Sequence, residues 1–189
     1  MKNLKPIKVK IFYDENLQKI TGKEFEETIV SENLDFATFL GFIFSSYPKI
    51  PKSFIPGTLG FLLNGIPPKE NDAIKDGDEL KMVVEKLDDI RKRIESELRE
   101  IISYYNVDCT IEEIKEIVLN ERNSKDFNNL VQTFAEKIPN LDKLNAVLKF
   151  VNAAWNYFPH ASLNGLCSTE AMAKFRRDGN KGSVTINCV

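Results

Sequence analysis

One histidine, one tryptophan and three cysteines are all that 189 residues offer toward metal or thiol chemistry. A lone His160 excludes histidine-rich centres. Cys109, Cys167 and Cys188 stand too far apart for the close cysteine pairs that announce structural zinc, and an odd number of thiols suits a reduced state better than a disulfide framework. No two of the nine glycines are adjacent, and the glycine-rich tail beginning at Gly179 lacks the spacing of a phosphate-cradling loop. Charge of either sign is not in excess: residues 1–86 hold 12 Lys and 13 Asp or Glu, residues 87–189 hold 14 Lys or Arg and 15 Asp or Glu. Neither half has the basic surplus that phosphate neutralisation requires, so nucleic acid is not an expected partner. Long apolar runs are missing too. The stretch from Phe36 to Tyr47 is interrupted by Thr38, Gly41 and Ser45 and is too short to span a bilayer, and the opening Met1-Lys2-Asn3-Leu4-Lys5 has no apolar signal core. No membrane association is expected, and the chain reads as cytoplasmic.

In residues 8–13, Val9, Ile11 and Tyr13 alternate with Lys8, Lys10 and Phe12, the period of a half-buried strand that Asp14-Glu15-Asn16 ends. Phe25 to Val30 alternates likewise, and the two strands read as a hairpin around Thr21-Gly22. After Ser31, Leu34, Phe36, Phe39, Leu40, Ile43 and Phe44 recur at helical spacing, and Pro48 with Pro51 stops that helix. Leu59 to Leu63 and Glu79 to Glu85 complete the set as strands. Asn64-Gly65 between them is a hairpin signal, and Asp76-Gly77-Asp78 is a tight turn where glycine takes positive φ.

The order strand, strand, helix, strand, strand, with Phe61-Leu62-Leu63-Asn64-Gly65 and Ile74-Lys75-Asp76-Gly77-Asp78-Glu79, resembles the MoaD/ThiS-like sulfur-carrier family, a ubiquitin-like β-grasp fold. The resemblance covers residues 7–86. It implies adenylation and thiocarboxylate formation at a C-terminal Gly-Gly, a slim tail that threads into an activating enzyme. Here the tail position is Glu85-Lys86-Leu87-Asp88-Asp89, bulky and charged, so the carrier residues have no counterpart.

Leu87, Ile90, Ile94, Leu98, Ile101, Ile102 and Tyr105 form one apolar stripe of a helix whose other face is charged, with Asp89/Arg93 and Glu95/Arg99 as i,i+4 pairs. Thr110 to Glu113 is a capping box for a second helix through Val118. Asn120 to Lys125 is a break, Asp126 to Lys137 a third helix, and a fourth begins at Asn140 and ends before Pro159. Short connections make these a bundle. A last helix follows Ser168, read as its cap, with Ala171, Met172 and Phe175. Val184-Thr185-Ile186 has the pattern of an added edge strand or a frayed end.

Residues 154–170 carry the densest chemistry of the chain, and Trp155, Asn156, His160 and Cys167 are the candidate binding residues. Ordinary packing at helix ends accounts for the aromatics there. A nucleophilic thiol would need His160 beside Cys167 and an orienting acid that the sequence does not supply. Cys109, His160, Cys167 and Cys188 form a chemically sensible zinc set at unsuitable spacing. No catalytic residue, metal ligand or cofactor is assigned. The expected fold is α+β, with a β-grasp domain at 1–86 and a helical bundle at 87–189. The expected role is protein binding or an adaptor working through the β-grasp sheet. The alternatives are a sulfur-carrier-related protein of molybdopterin or thiamine biosynthesis, and a metal or thiol site at His160 and Cys167.

Overall fold

The computed structural model describes residues 5–178. An N-terminal β-grasp segment of sheet and helix is followed by a C-terminal α-helical bundle, and two compact units divide between Glu85 and Lys86.

In the first unit, β1 (Pro6–Tyr13) buries Ile7, Val9, Ile11 and Tyr13 and turns Lys8 outward. Asp14 ends it and caps α1 (Glu15–Thr21), its side chain accepting from the amides of Asn16 and Leu17, while Gly22 closes the helix at φ 71°. β2 (Phe25–Ser31) then pairs antiparallel with β1. The two strands are neighbours as the sequence predicts, but they are not a simple hairpin. The Asp14 cap starts a helix where the alternation signals only the end of a strand.

α2 (Phe36–Ser46) is capped by Asp35 rather than beginning directly after Ser31, and buries Phe36, Phe39 and Ile43. Pro48 follows its end, whereas Pro51 lies in the first turn of the short α3 (Ile50–Ser53), a position where its missing N–H costs nothing. β3 (Leu59–Leu63) and β4 (Glu79–Val84) complete a sheet of order β2-β1-β4-β3, with β1 and β4 parallel.

Asn64-Gly65 is a two-residue reversal at φ 51° and 83°, closed by Leu63 and Ile66 exchanging hydrogen bonds of 2.8 and 3.0 Å. This turn does not join β3 to β4. Ile66 makes only an isolated bridge, and the chain passes through Pro67-Pro68 before β4. The Asn64 side chain instead donates to Asp78 at 2.8 Å and accepts from the Glu79 amide at 2.9 Å. Asp76 accepts from the Lys8 amide at 2.8 Å, and the Gly77 amide donates to the Lys8 carbonyl. The Asp-Gly-Asp turn thus fastens the start of β4 to β1.

Gly60 lies opposite Val83 in the β3–β4 ladder. A Cβ there would stand 2.9 Å from Val83 Cγ2 and 3.1 Å from a Glu85 carboxylate oxygen. Because a β-branched neighbour yields little, Gly60→Ala is expected to cost about 1–3 kcal/mol by overpacking. Chemical denaturation of the full chain, followed through β4 amide signals, measures it; unchanged stability would contradict that close approach.

The second unit comprises α4 (Leu87–Tyr105), α5 (Ile111–Leu119), α6 (Ser124–Lys137), α7 (Leu141–Tyr157), a 3-10 turn (Ala161–Leu163) and α8 (Ser168–Asp178). Ile94 and Leu98, Ile111 and Ile114, Leu130 and Phe134, Val147 and Val151, and Phe158 share its core. The Thr110–Glu113 capping box forms as its sequence predicts. α6 starts before Asp126, because Asn123 caps it in a reciprocal box with Asp126. Glu95 and Arg99 are ion-paired across to α5, with Lys115 and Glu112 respectively, not with each other. Ser168 is the first residue of α8 rather than its cap, and Met172 and Phe175 are exposed. Val184 to Ile186 and Cys188 lie outside the described residues. Among the described residues, no helix is long and apolar enough to cross a membrane.

Candidate functional site

Trp155 and Asn156 belong to the last turn of α7, His160 follows Pro159, and Cys167 directly precedes α8. His160 is completely buried. Its Nε2 lies 2.7 Å from the Trp155 carbonyl and 3.4 Å from the Ser168 hydroxyl. Its Nδ1 is 3.1 Å from a Glu121 carboxylate oxygen but outside hydrogen-bond alignment. Acid, imidazole and hydroxyl thus occur in the order of a hydrolytic triad. The Trp155 carbonyl decides against that chemistry. A carbonyl only accepts, so Nε2 presents its proton there and has no lone pair with which to take a proton from Ser168. The ring holds the end of α7 against the turn that leads into α8.

Cys167 is fully buried, and its sulfur contacts the Thr169 hydroxyl at 3.1 Å rather than His160. The Cys167 amide donates to Glu170 at 2.9 Å, and the same carboxylate receives Arg91, whose Nε also donates to the Tyr157 carbonyl at 2.8 Å. Arg91 therefore does not sit on the solvated charged face that the sequence pattern suggests; it binds α4 to the α7–α8 junction. Asn156 is exposed, and its carbonyl accepts from Thr169 at 3.4 Å. Cys109 is partly buried, and burial, followed by the charges of Glu113 and Asp108, pushes its thiol above the ordinary range. Among the described residues no group of three or more His, Cys, Asp or Glu is arranged to hold a metal ion.

The sheet of the first unit is the more accessible candidate. Alternation sends Lys8, Lys10 and Phe12 of β1, Phe25, Glu27 and Ile29 of β2, and Lys81 and Val83 of β4 to the side away from the buried core. Phe25 and Ile29 are 52% and 67% exposed. Phe12 packs on Phe25 at 6.0 Å between centroids, and Lys10 lies over the Phe25 ring. A lysine-studded apolar face at the edge of a sheet is suited to packing against another protein.

On the core side of β2, Glu26 receives the hydroxyls of Tyr13 at 2.6 Å and Tyr47 at 2.9 Å and pairs with Lys23. Burial alone pushes the Glu26 carboxyl up, but the hydrogen bonds from Lys23, Tyr13 and Tyr47 outweigh it and hold the carboxyl below its usual range. Burial, then the hydrogen bond to Glu26, drives the Tyr13 hydroxyl far upward. A depressed carboxyl contributes stability that is complete above the unfolded value of about 4.3 and is lost as pH falls through the lower folded value. Glu26→Gln is expected to flatten the acid-side fall of melting temperature below about pH 5. Melting curves of both proteins from neutral to acid pH test this, and parallel curves would contradict it.

The end of β4 is occupied. The Val84 amide donates to Asp14 at 2.7 Å, the Glu85 amide to the Thr58 carbonyl at 2.8 Å, and α4 begins at Leu87. The tail position of a sulfur carrier is therefore hydrogen-bonded backbone continuing into a helix. Asp14, Glu26, Glu121 and Arg91 are the important groups that sequence periodicity does not reveal.

No family model and no curated protein matches the sequence. Among solved structures, a Pyrococcus furiosus protein described as molybdopterin converting factor, subunit 1, is 19% identical, covers 42% of this chain and 99% of its own, and has a TM-score of 0.39. Small archaeal modifier protein 1 of Haloferax volcanii is 15% identical over 42% of this chain and 99% of its own, with a TM-score of 0.39. ATBAG1, in its complex with HSP70, is 11% identical over 92% of this chain and 99% of its own, with a TM-score of 0.30. The chain thus has a weak structural match, over part of its length, to MoaD/ThiS-like β-grasp sulfur-carrier proteins.

Proposed function

We propose that this chain is a non-catalytic protein-binding or adaptor protein, organised as a β-grasp domain at residues 1–86 and a helical bundle at 87–189, and that it recognises its partner through the sheet. The observation that carries this reading is the exposed pair Phe25 and Ile29 on edge strand β2, beside Phe12 and Lys10. Two large apolar side chains on an edge strand are a liability unless another surface covers them. The contrasting chemistry around His160 is closed: the imidazole and the Cys167 thiol are buried, and the Nε2 proton is committed to a backbone carbonyl.

The experiment is affinity purification of the tagged full-length chain from its native cells, beside the double variant Phe25→Glu, Ile29→Glu. A stoichiometric protein retained by the parent and reduced at least about tenfold with the variant is expected, since burying two unpaired carboxylates at an interface costs well over 1.4 kcal/mol. HSP70, with which ATBAG1 was solved, is one of the proteins to score in the recovered material. No stoichiometric protein, or one held equally by both, would contradict the reading.

A further inference from the structure

We propose that the groove between β2 and α2 takes up an extended segment of another protein as an added strand, one whose apolar residues alternate with lysine or arginine. This rests on the protein-binding reading and assigns that binding a place and a chemistry.

β2 is an edge strand, paired only with β1 among the described residues. The Tyr13 amide donates to the Glu24 carbonyl and the Glu32 amide to the Lys5 carbonyl. In an antiparallel ladder the inward-facing residues recur every second position, so the even-numbered residues of β2 face β1. The amides and carbonyls of Phe25, Glu27, Ile29 and Ser31 therefore point outward. Edge strands are commonly blunted by lysine or proline, and Phe25–Ser31 contains neither.

Beside that edge is an open groove of about 510 Å³, lined by Thr28, Val30, Leu34, Phe42 and Ser46 among others. Phe42 is 53% exposed, and no charged residue occurs from Phe36 to Ser46, so the exposed side of α2 is uncharged throughout. Surface helices normally carry charge on that side. An added strand would place alternate side chains in this groove and the others beside Phe25, Glu27 and Ile29.

Charge selects the occupant. From residue 23 to 32 there are four glutamates, Glu24, Glu26, Glu27 and Glu32, against Lys23 alone, and Lys23 is paired with Glu26. Lys10 stands across from Glu27 on β1, and its ammonium reaches over the Phe25 ring of β2. Counting Lys10 with Lys23, the edge still presents four carboxylates against two ammonium groups, an excess that favours a segment carrying lysine or arginine. A second copy is disfavoured. Antiparallel pairing of two β2 strands centred on Glu26, Glu27, Thr28 or Ile29 sets, respectively, Glu26 on Glu26, Glu27 on Glu27, Glu24 on Glu32, or Glu26 on Glu32, each a like-charge pair.

The test titrates the isotope-labelled full chain with two designed peptides of about ten residues, long enough for a strand, in which valine alternates with lysine or with glutamate. The lysine peptide is expected to shift the amide signals of Phe25, Glu27, Ile29 and Ser31 and slow their hydrogen exchange, binding about tenfold more tightly than the glutamate peptide. Phe42→Ser should weaken it. Ile29→Pro should abolish it while leaving the β1–β2 ladder intact, because the lost N–H points outward. Equal binding of both peptides, no binding, or shifts confined to the outward residues of β1 and β4 would overturn the proposal. Concentration-dependent shifts of the β2 amides without peptide would overturn it in favour of a second copy. A native partner retained by Ile29→Pro would remove the groove and leave the protein-binding reading standing; peptide binding at β2 without any native partner would do the reverse.

Discussion

Replacing His160 by leucine is expected to destabilise the helical unit by about 3 kcal/mol, a loss of roughly 10–20 °C in the melting midpoint of a unit of this size. The ring is fully buried, and its Nε2 supplies the proton that satisfies the Trp155 carbonyl at 2.7 Å. Leucine fills a similar volume but donates nothing, so that carbonyl is left unpaired at a cost of about 1–3 kcal/mol. Glu121, 3.1 Å from Nδ1, loses its neighbour as well. The readout is internal: Trp155, the single tryptophan, packs edge-on against Phe127 at 5.0 Å and near His160 at 5.9 Å between centroids. Its fluorescence reports unfolding of this unit within the full chain. Ser168→Ala is the control, since a hydroxyl at 3.4 Å on a partly exposed residue is expected to change stability by less than about 0.5 kcal/mol. A site for thiol or hydrolytic chemistry would give the opposite pattern. There, His160→Leu would leave the midpoint in place.

The second large effect is expected at Asp14. One carboxylate oxygen accepts from the amides of Asn16 at 3.1 Å and Leu17 at 2.9 Å, and the other from Val84 at 2.7 Å. Asp14→Ala removes a helix cap, about 1 kcal/mol, and strands a partly buried strand amide, about 1–3 kcal/mol more. A total near 3 kcal/mol follows, and it should be localised. Hydrogen exchange at Val84 should accelerate more than at the central β1 amides, because the end of β4 loses its only side-chain anchor among the described contacts. Asn at position 14 retains one acceptor and should restore the α1 cap but not the Val84 contact. Val84 exchange unaffected by Asp14→Ala would show that β4 is held in place without the clamp.

These two residues also mark the limit of reading the sequence. The alternation of Val9, Ile11 and Tyr13, the helical spacing of Phe36, Phe39 and Ile43, and the capping box at Thr110 are local signals, and local structure follows them. Asp14 is local too, but an aspartate after a strand reads equally as a turn and as a cap. Only the helical geometry of α1 separates the two. Asn64-Gly65 has the backbone of a hairpin turn yet joins Leu63 to Ile66 rather than to β4, because dipeptide chemistry fixes the turn and not the partner strand. Glu95 and Arg99 are spaced to pair along α4, but α5 supplies Lys115 and Glu112 at closer quarters. His160 with Glu121, and Arg91 with Glu170, are contacts between residues distant in sequence that no period announces. The open groove beside β2 was invisible for a related reason: the exposed side of α2 carries Phe42 and small uncharged residues, which in sequence resemble the buried side.

The sheet of the β-grasp unit is proposed to meet another protein. Site-specific photo-cross-linking in the native cells tests this, with a benzophenone side chain placed at position 25 or 29 in turn, and at position 104 or 175 as exposed aromatic positions of the bundle. One adduct common to positions 25 and 29, absent from 104 and 175, is expected. Adducts from the bundle positions alone, or none from any sheet position, would contradict it.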